Sequence, residues 1–341
     1  MSGSLQVVDF SGLQALMMEP NWADVNPGSL ALAVELPKQT LTKTQVARVE
    51  HWIYRQPVPV IGIARHNNQS SLSRSVDILV FNDDDKITVM EKISQNPQAS
   101  AVLVQVIRST LALSIPEALA MESLAYSTLQ GGKEFARWLQ TYRSGRAGKA
   151  GVQINDPAAR VERNDNQLTI VLNTPQNRNA LSTKMRDALS EAFKLVILDP
   201  SIEQVHVSGN GPCFSAGGDL SEFGETTDHA LAHQIRLLRM PAQYLAQKAD
   251  RYTFHLHGAC IGAGLEMPAF AGKIKASPDT FFHLPEVGMG LVPGAGGCVS
   301  IPRRIGRQRT NFLAITGMRL SAETALAWGL IDEIADQAVD I

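Results

Sequence analysis

Glu266 closes the run Gly258-Ala-Cys-Ile-Gly-Ala-Gly-Leu-Glu266, and Glu286 stands early in His283-Leu-Pro-Glu-Val-Gly-Met-Gly-Leu-Val-Pro-Gly-Ala-Gly-Gly297. A third stretch of small residues, Cys213-Phe-Ser-Ala-Gly-Gly-Asp-Leu220, lies upstream. Glycine and alanine put no bulk in front of the main chain, so N–H groups in such turns can approach a ligand closely. Convergent N–H donors stabilise an oxyanion better than the neutral carbonyl from which it forms. Two carboxylates nearby can share one water, one drawing a proton from it while the other gives a proton to carbon. Together these residue types point to an acyl-thioester site, with proton chemistry at the carbon beside the carbonyl.

The candidate donors are the N–H groups of Gly218, which closes the upstream turn, and Ala263, where the second turn becomes a helix. A helix start would add its positive end to the oxyanion site. Glu266 follows Ala263 by one helical turn and so faces the same side. It lies within Gly-Leu-Glu-Met-Pro-Ala-Phe-Ala, a mostly apolar stretch where an unpaired carboxylate would be expensive. Pro268, two residues on, removes a donor and predicts a bend or break. One glycine-rich turn before a helix usually reflects tight packing; three in order along one chain suggest a site.

Other chemistries fit poorly. His229 and His233 are four residues apart on an expected helix, but no acid completes a metal-binding H-E-x-x-H pattern, and both read as surface residues. His255 and His257 alternate on an expected strand and read as packing or local hydrogen-bonding groups. Ser215 lacks a G-x-S-x-G elbow, and Gly258, Gly262 and Gly264 do not match the dinucleotide fingerprint. Asp83-Asp-Asp85 and the basic cluster Arg303 to Arg309 read as solvated faces.

The net charge of -2 gives no general attraction to nucleic acid or anionic membranes. No apolar run reaches the roughly 18 residues of a membrane span, and the first residues lack a secretory pattern. The three cysteines, Cys213, Cys260 and Cys298, form no C-x-x-C motif and no disulfide framework, which suits a reducing cytoplasm. At 341 residues, 44% hydrophobic and 19% charged, the chain is long enough for two units or for one domain with a large appendage.

Ser-Gly-Arg-Ala-Gly-Lys-Ala, between Arg143 and Gly151, reads as a linker and divides the chain into 1–148 and 149–341. In the first block, strands are expected at 58–63 and 76–81, followed by helices at 87–93, 99–107, 115–129 and 134–142. In the second, strands at 161–163 and 168–172 flank the turn Asn164-Asp-Asn166, and Ser182 caps a helix that ends at Leu198. Strands at 205–209 and 252–257 each run into a glycine-rich turn, so the architecture is α/β with ligand-binding turns after strand ends.

Residues 152–335 resemble the crotonase, or enoyl-CoA hydratase/isomerase, superfamily. The resemblance rests on Asn179-Ala-Leu-Ser, Cys213-Phe-Ser-Ala-Gly-Gly-Asp-Leu, Gly262-Ala-Gly-Leu-Glu266, Pro285-Glu286, Pro293-Gly-Ala-Gly-Gly297 and Ala325-Leu-Ala-Trp-Gly-Leu-Ile-Asp-Glu333. It implies a spiral of β-β-α units, an oxyanion hole from Gly218 and Ala263, and an acyl-CoA ligand. The coenzyme A ester would lie near Arg178, Ala180, Ala216, Asp219, Leu220 and Gly294. Hydratases of the family use two glutamates, here Glu266 and Glu286. Isomerases usually keep one, and related hydroxyacyl-CoA hydrolases carry Asp where this chain has Gly294. Reversible hydration of a 2-enoyl-CoA is the leading reading, with an isomerase or a silent CoA-binding assembly subunit as alternatives. Coenzyme A enters only as part of the substrate, no metal or further cofactor is expected, and relatives assemble as trimers or hexamers. Residues 117–143 resemble the helical pair that closes the site from the C-terminus in relatives, implying a circularly permuted lid supplied from the front of the chain.

Overall fold

Three sheets, each with helices against it, give a mixed α/β fold. The computed structural model describes residues 5–19, 22, 26, 28–64, 70–146 and 156–335. The first three residues of the expected linker, 144–146, continue a helix, and its remainder lies outside the described residues, as does the division expected at 148/149. The chain opens with β1 (Leu5–Val8), α1 (Phe10–Leu16), β2 (Ala31–Glu35), α2 (Lys43–Tyr54), β3 (Val60–Ile63) and β4 (Ile78–Val80). The four strands form one parallel sheet in the order β1-β2-β3-β4.

Sequence patterning reveals β3 and β4 but not β1, β2, α1 or α2. The reason is visible in β2, where both faces are covered. Ala31 and Ala33 join the main apolar core, while Leu32 and Val34 join a second cluster with Trp22, Trp52 and Leu72. With apolar residues on both faces, no alternation survives to mark the strand. A signal for α2 was present: Thr42 accepts from the Gln45 N–H, and the Gln45 side chain accepts from the Thr42 N–H, a reciprocal cap.

Four helices follow, close to the expected windows: α3 (Asp83–Gln95), α4 (Pro97–Thr110), α5 (Ile115–Gln130) and α6 (Lys133–Arg146). Asn82 caps α3 and Ser114 with Glu117 caps α5. Their buried faces, including Leu103, Ile107, Leu119 and Phe135, belong to the same apolar cluster as Ile170, Phe254 and Leu313 of the second block.

The second block contains β5 (Ala159–Asn164), β6 (Gln167–Leu172), α7 (Thr183–Leu198), β7 (Gln204–Gly209), α8 (His229–Arg239), α9 (Pro241–Leu245), β8 (Tyr252–Leu256) and β9 (Ala259–Ile261). It continues through α10 (Ala263–Glu266), β10 (Lys273–Ala276), β11 (Phe281–His283), α11 (Gly297–Ile305), α12 (Arg307–Thr316), β12 (Leu320–Ser321), α13 (Ala322–Trp328) and β13 (Glu333–Ile334). The long sheet has the order β13-β10-β8-β7-β6-β5 and the short one β12-β11-β9. After β8 the chain crosses into β9, and after β10 into β11, so successive passes place one strand in each sheet. This is the expected spiral of β-β-α units.

Asp77 and Arg108, whose side chains are 0% and 1% exposed, tie the first sheet to α4. Arg108 Nε donates to Asp77 Oδ1 at 2.8 Å, and Asp77 Oδ2 accepts the Val60 N–H at 2.8 Å. Asn311 of α12 donates to the Asp77 carbonyl at 2.9 Å, joining this sheet to the second block. Arg108→Leu leaves that carboxylate buried without its cation and is expected to cost about 3–5 kcal/mol, read as a lower unfolding midpoint in urea.

Candidate active site

The site is assembled where two turns interlock. Ser215 pairs with Cys260 in an isolated bridge, and the Ile261 N–H donates to the Ser215 carbonyl at 3.0 Å. A Cβ on Gly264 would lie 2.7 Å from that same carbonyl oxygen, so glycine is what allows the turns to touch. Gly218 and Ala263 are thereby carried on neighbouring turns. Among the described residues, neither of their N–H groups has a main-chain acceptor.

Gly262 precedes Ala263 with φ of 49°, a left-handed value that favours glycine. A Cβ there would stand 2.4 Å from Glu286 Oε1 and 3.7 Å from Glu266 Oε1, so both acids point toward this glycine. The helix expected from Ala263 is a single turn, and Pro268 heads a separate 3-10 turn at Pro268–Phe270. The macrodipole expected there is correspondingly small, which leaves the local N–H groups as the source of positive potential. The Ser300 hydroxyl donates to the Glu266 carbonyl at 2.7 Å, satisfying an acceptor at this break.

Glu266 is held firmly. Its Oε2 accepts the Ala295 N–H at 2.7 Å and the Gly297 N–H at 3.0 Å. Glu286 starts the 3-10 turn Glu286–Met289, and its Oε2 is shut from solvent without a hydrogen-bond partner. Burial pushes Glu266 up to about 7, against the lowering effect of its two N–H bonds. Burial first, and then the Glu266 charge, push Glu286 well above the ordinary carboxylate range. The same two causes raise Glu122, on α5. Two N–H donors thus oppose the effect of burial at Glu266, whereas Glu286 Oε2 has no partner to do so.

A cavity of about 380 Å³ opens onto these groups, and Gly218, Asp219, Ala263, Glu266, Glu286 and Gly294 all line it. Arg178, Ala180, Ala216 and Leu220 do not. Arg178 and Ala216 meet each other instead, through an N–H to carbonyl bond of 2.9 Å. Residues 222–241 form much of the cavity wall, with Phe223, Ile235 and Arg236 among them.

Tyr126 and Gln130 of α5 reach the cavity from the front of the chain. Sequence reasoning matched this helix to a lid but singled out neither residue. Tyr126 packs so closely on Gly294 that a Cβ there would lie 2.2 Å from its ring. Arg236 stacks 4.6 Å from the centroid of the same ring. The inward polar face of α5, with Glu122, Ser123 and Ser127 at helical spacing on a largely apolar helix, was the available signal for this face, although nothing local marked Tyr126.

His233 Nδ1 lies 2.9 Å from the Ser123 hydroxyl, His255 Nε2 lies 3.0 Å from His206 Nδ1, and His257 lies 2.9 Å from the Gly211 carbonyl. Among the described residues no group of three or more His, Cys, Asp or Glu side chains could hold a metal ion. No described helix is long and apolar enough to cross a membrane.

The model of the family "Enoyl-CoA hydratase/isomerase" matches residues 162–339. YngF of Bacillus subtilis is 30% identical over 173 residues, covering 50% of this chain and 66% of that protein. The enoyl-CoA isomerase/hydratase fer4 of Mycosarcoma maydis is 31% identical over 176 residues, covering 49% of this chain and 64% of that protein. The chain thus spans just under two thirds of the length of these relatives. Among solved structures, Pseudomonas aeruginosa DspI superposes with a TM-score of 0.50 at 26% identity, covering 56% of this chain and 72% of that one.

Gly294→Ala is expected to cost about 1–3 kcal/mol by forcing Tyr126 aside, and Tyr126→Ala should remove most of that penalty; a double-mutant cycle measured by thermal unfolding reads the coupling. The buried Glu266 carboxyl binds its proton more tightly in the folded chain, so its stabilising contribution is complete below about pH 4.5 and is lost as pH rises through about 7. The melting temperature should fall between about pH 5 and 8, and Glu266→Gln should flatten that slope.

Proposed function

This chain belongs to the enoyl-CoA hydratase/isomerase family, and from that premise we propose that it reversibly adds water to a 2-enoyl-CoA thioester. The observation that carries the reading is the convergence of Glu266 and Glu286 on Gly262, beside two N–H groups without main-chain acceptors. The thioester oxygen accepts from Gly218 and Ala263, whose donors strengthen as negative charge develops on it. Glu266 takes a proton from water through the Oε1 that its N–H bonds leave free. The water oxygen bonds to the β-carbon, and Glu286 delivers its proton to the α-carbon. Product release and solvent exchange reset both acids.

Both proton donors and acceptors are side chains, so the proposed reaction requires no metal or redox cofactor. Arg178, Ala180, Ala216, Asp219 and Leu220 would lie along the coenzyme A portion, outside or at the edge of the acyl cavity. Helices α5 and α6 serve as the lid that relatives supply from the back of the chain. Trimeric or hexameric assembly in a reducing cytoplasm belongs to the same proposal.

Mass analysis of crotonyl-CoA incubations in heavy-oxygen water identifies the product. The expected result is a 3-hydroxyacyl-CoA carrying the label. A 3-enoyl-CoA product would indicate an isomerase, and binding without turnover an assembly subunit. Glu266→Gln and Glu286→Gln should each lower kcat by about 10²–10⁴-fold while still binding acyl-CoA. Near-normal turnover in either variant would defeat the two-carboxylate mechanism.

A further inference from the structure

Ala295, Gly296, Gly297 and Cys298 present successive N–H groups at the start of α11, and two buried carboxylates divide them alternately. Ala295 and Gly297 donate to Glu266 Oε2. Gly296 donates to Glu122 Oε1 at 2.7 Å, and Cys298 donates to Glu122 Oε2 at 2.8 Å. Glu122 lies within α5 with 0% of its surface exposed, and it comes from a part of the chain outside the family match. A carboxylate so deeply placed is costly unless both oxygens are hydrogen-bonded, and here main-chain donors fill both.

The segment is constrained on its other sides as well. Gly296 has φ of 107° and leaves no room for a side chain beneath the Phe270 ring, where a Cβ would be 2.4 Å away. The Thr110 hydroxyl donates to the Cys298 carbonyl at 2.8 Å. A peptide segment gripped from one side can still rotate its planes. Gripped from both, it holds each N–H in a fixed direction.

We propose that Glu122 is a positioning residue: by holding Gly296 and Cys298 it fixes the intervening donors, Ala295 and Gly297, and so turns Glu266 Oε1 toward the cavity. This rests on reading Glu266 as the base. The lid helix α5 then does more than cover the site, because it carries one of the two anchors of the segment that aims the base. Small losses of alignment at a reacting group have large effects on rate, whereas acyl-CoA binding, spread over many contacts, changes little.

Glu122→Gln tests this with little change in volume. An amide has one acceptor oxygen and a donor NH2, so one of the two N–H groups would lose its acceptor and face another donor. In folded Glu122→Gln, kcat for crotonyl-CoA hydration should fall by about 10- to 100-fold with KM changed by less than about threefold. Hydrogen–deuterium exchange resolved to single amides should quicken by about tenfold or more at Ala295 and Gly297, which Glu122 does not touch.

If Glu122→Gln does not fold, Glu122→Asp is read in the same way, since it keeps the carboxyl group but draws both oxygens back by one methylene. A wild-type kcat in a folded variant, or faster exchange confined to Gly296 and Cys298, overturns the proposal. If the wild-type protein does not hydrate crotonyl-CoA, the hydratase reading fails separately and the exchange at Ala295 and Gly297 still decides the role of Glu122.

Discussion

The backbone from Ala295 to Cys298 is the constraint on which the site depends. Its N–H groups satisfy Glu266 from one side and Glu122 from the other. Each carboxylate is too deeply buried to be tolerated without such donors, and the segment needs glycine at 296 to take its conformation. The same bonds that make burial possible also consume Glu266 Oε2, leaving a single oxygen for chemistry. Satisfying a buried charge and aiming it are thus one structural event.

Burial sets the proton inventory. Desolvation raises Glu266, Glu286 and Glu122 together, and the negative charge on Glu266 raises the other two further. N–H bonds from Ala295 and Gly297 offset part of this for Glu266. Two identical side chains thus meet different surroundings, Glu266 Oε2 accepting two N–H groups and Glu286 Oε2 none. The small-residue turns supply the complementary half, because Gly262 and Gly264 let the acids and the donor turns approach within distances that any Cβ would prevent.

Much of this was legible in local patterns. The helices from α3 to α6, the β5–β6 hairpin and the cap at Ser182 follow from periodicity, turn residues and capping chemistry. The glycine-rich turns that bring Gly218, Ala263, Glu266, Glu286 and Gly294 to one cavity were also visible. Patterning failed at β2, whose two faces serve different apolar clusters, whereas the break at Pro268 that limits α10 to one turn was marked by the proline itself. It also failed to pick out Tyr126 and Arg236, because a ring stacked on Gly294 and a guanidinium stacked on that ring leave no mark on either local sequence.

The sequence by itself determined which residue types could do the chemistry and which backbone positions had to be free of side chains. Those requirements are local: a tight turn, a close approach or a one-turn spacing restricts the residue at that position whatever lies far away. Only the tertiary structure decided that Glu122 and Tyr126 belong with them. Glu122 meets Gly296 across a separation of 174 residues, through apolar packing of α5 against α11. Such packing is nondirectional and can be satisfied by many helix faces, so the partner of a buried acid emerges only when the whole core has closed around it.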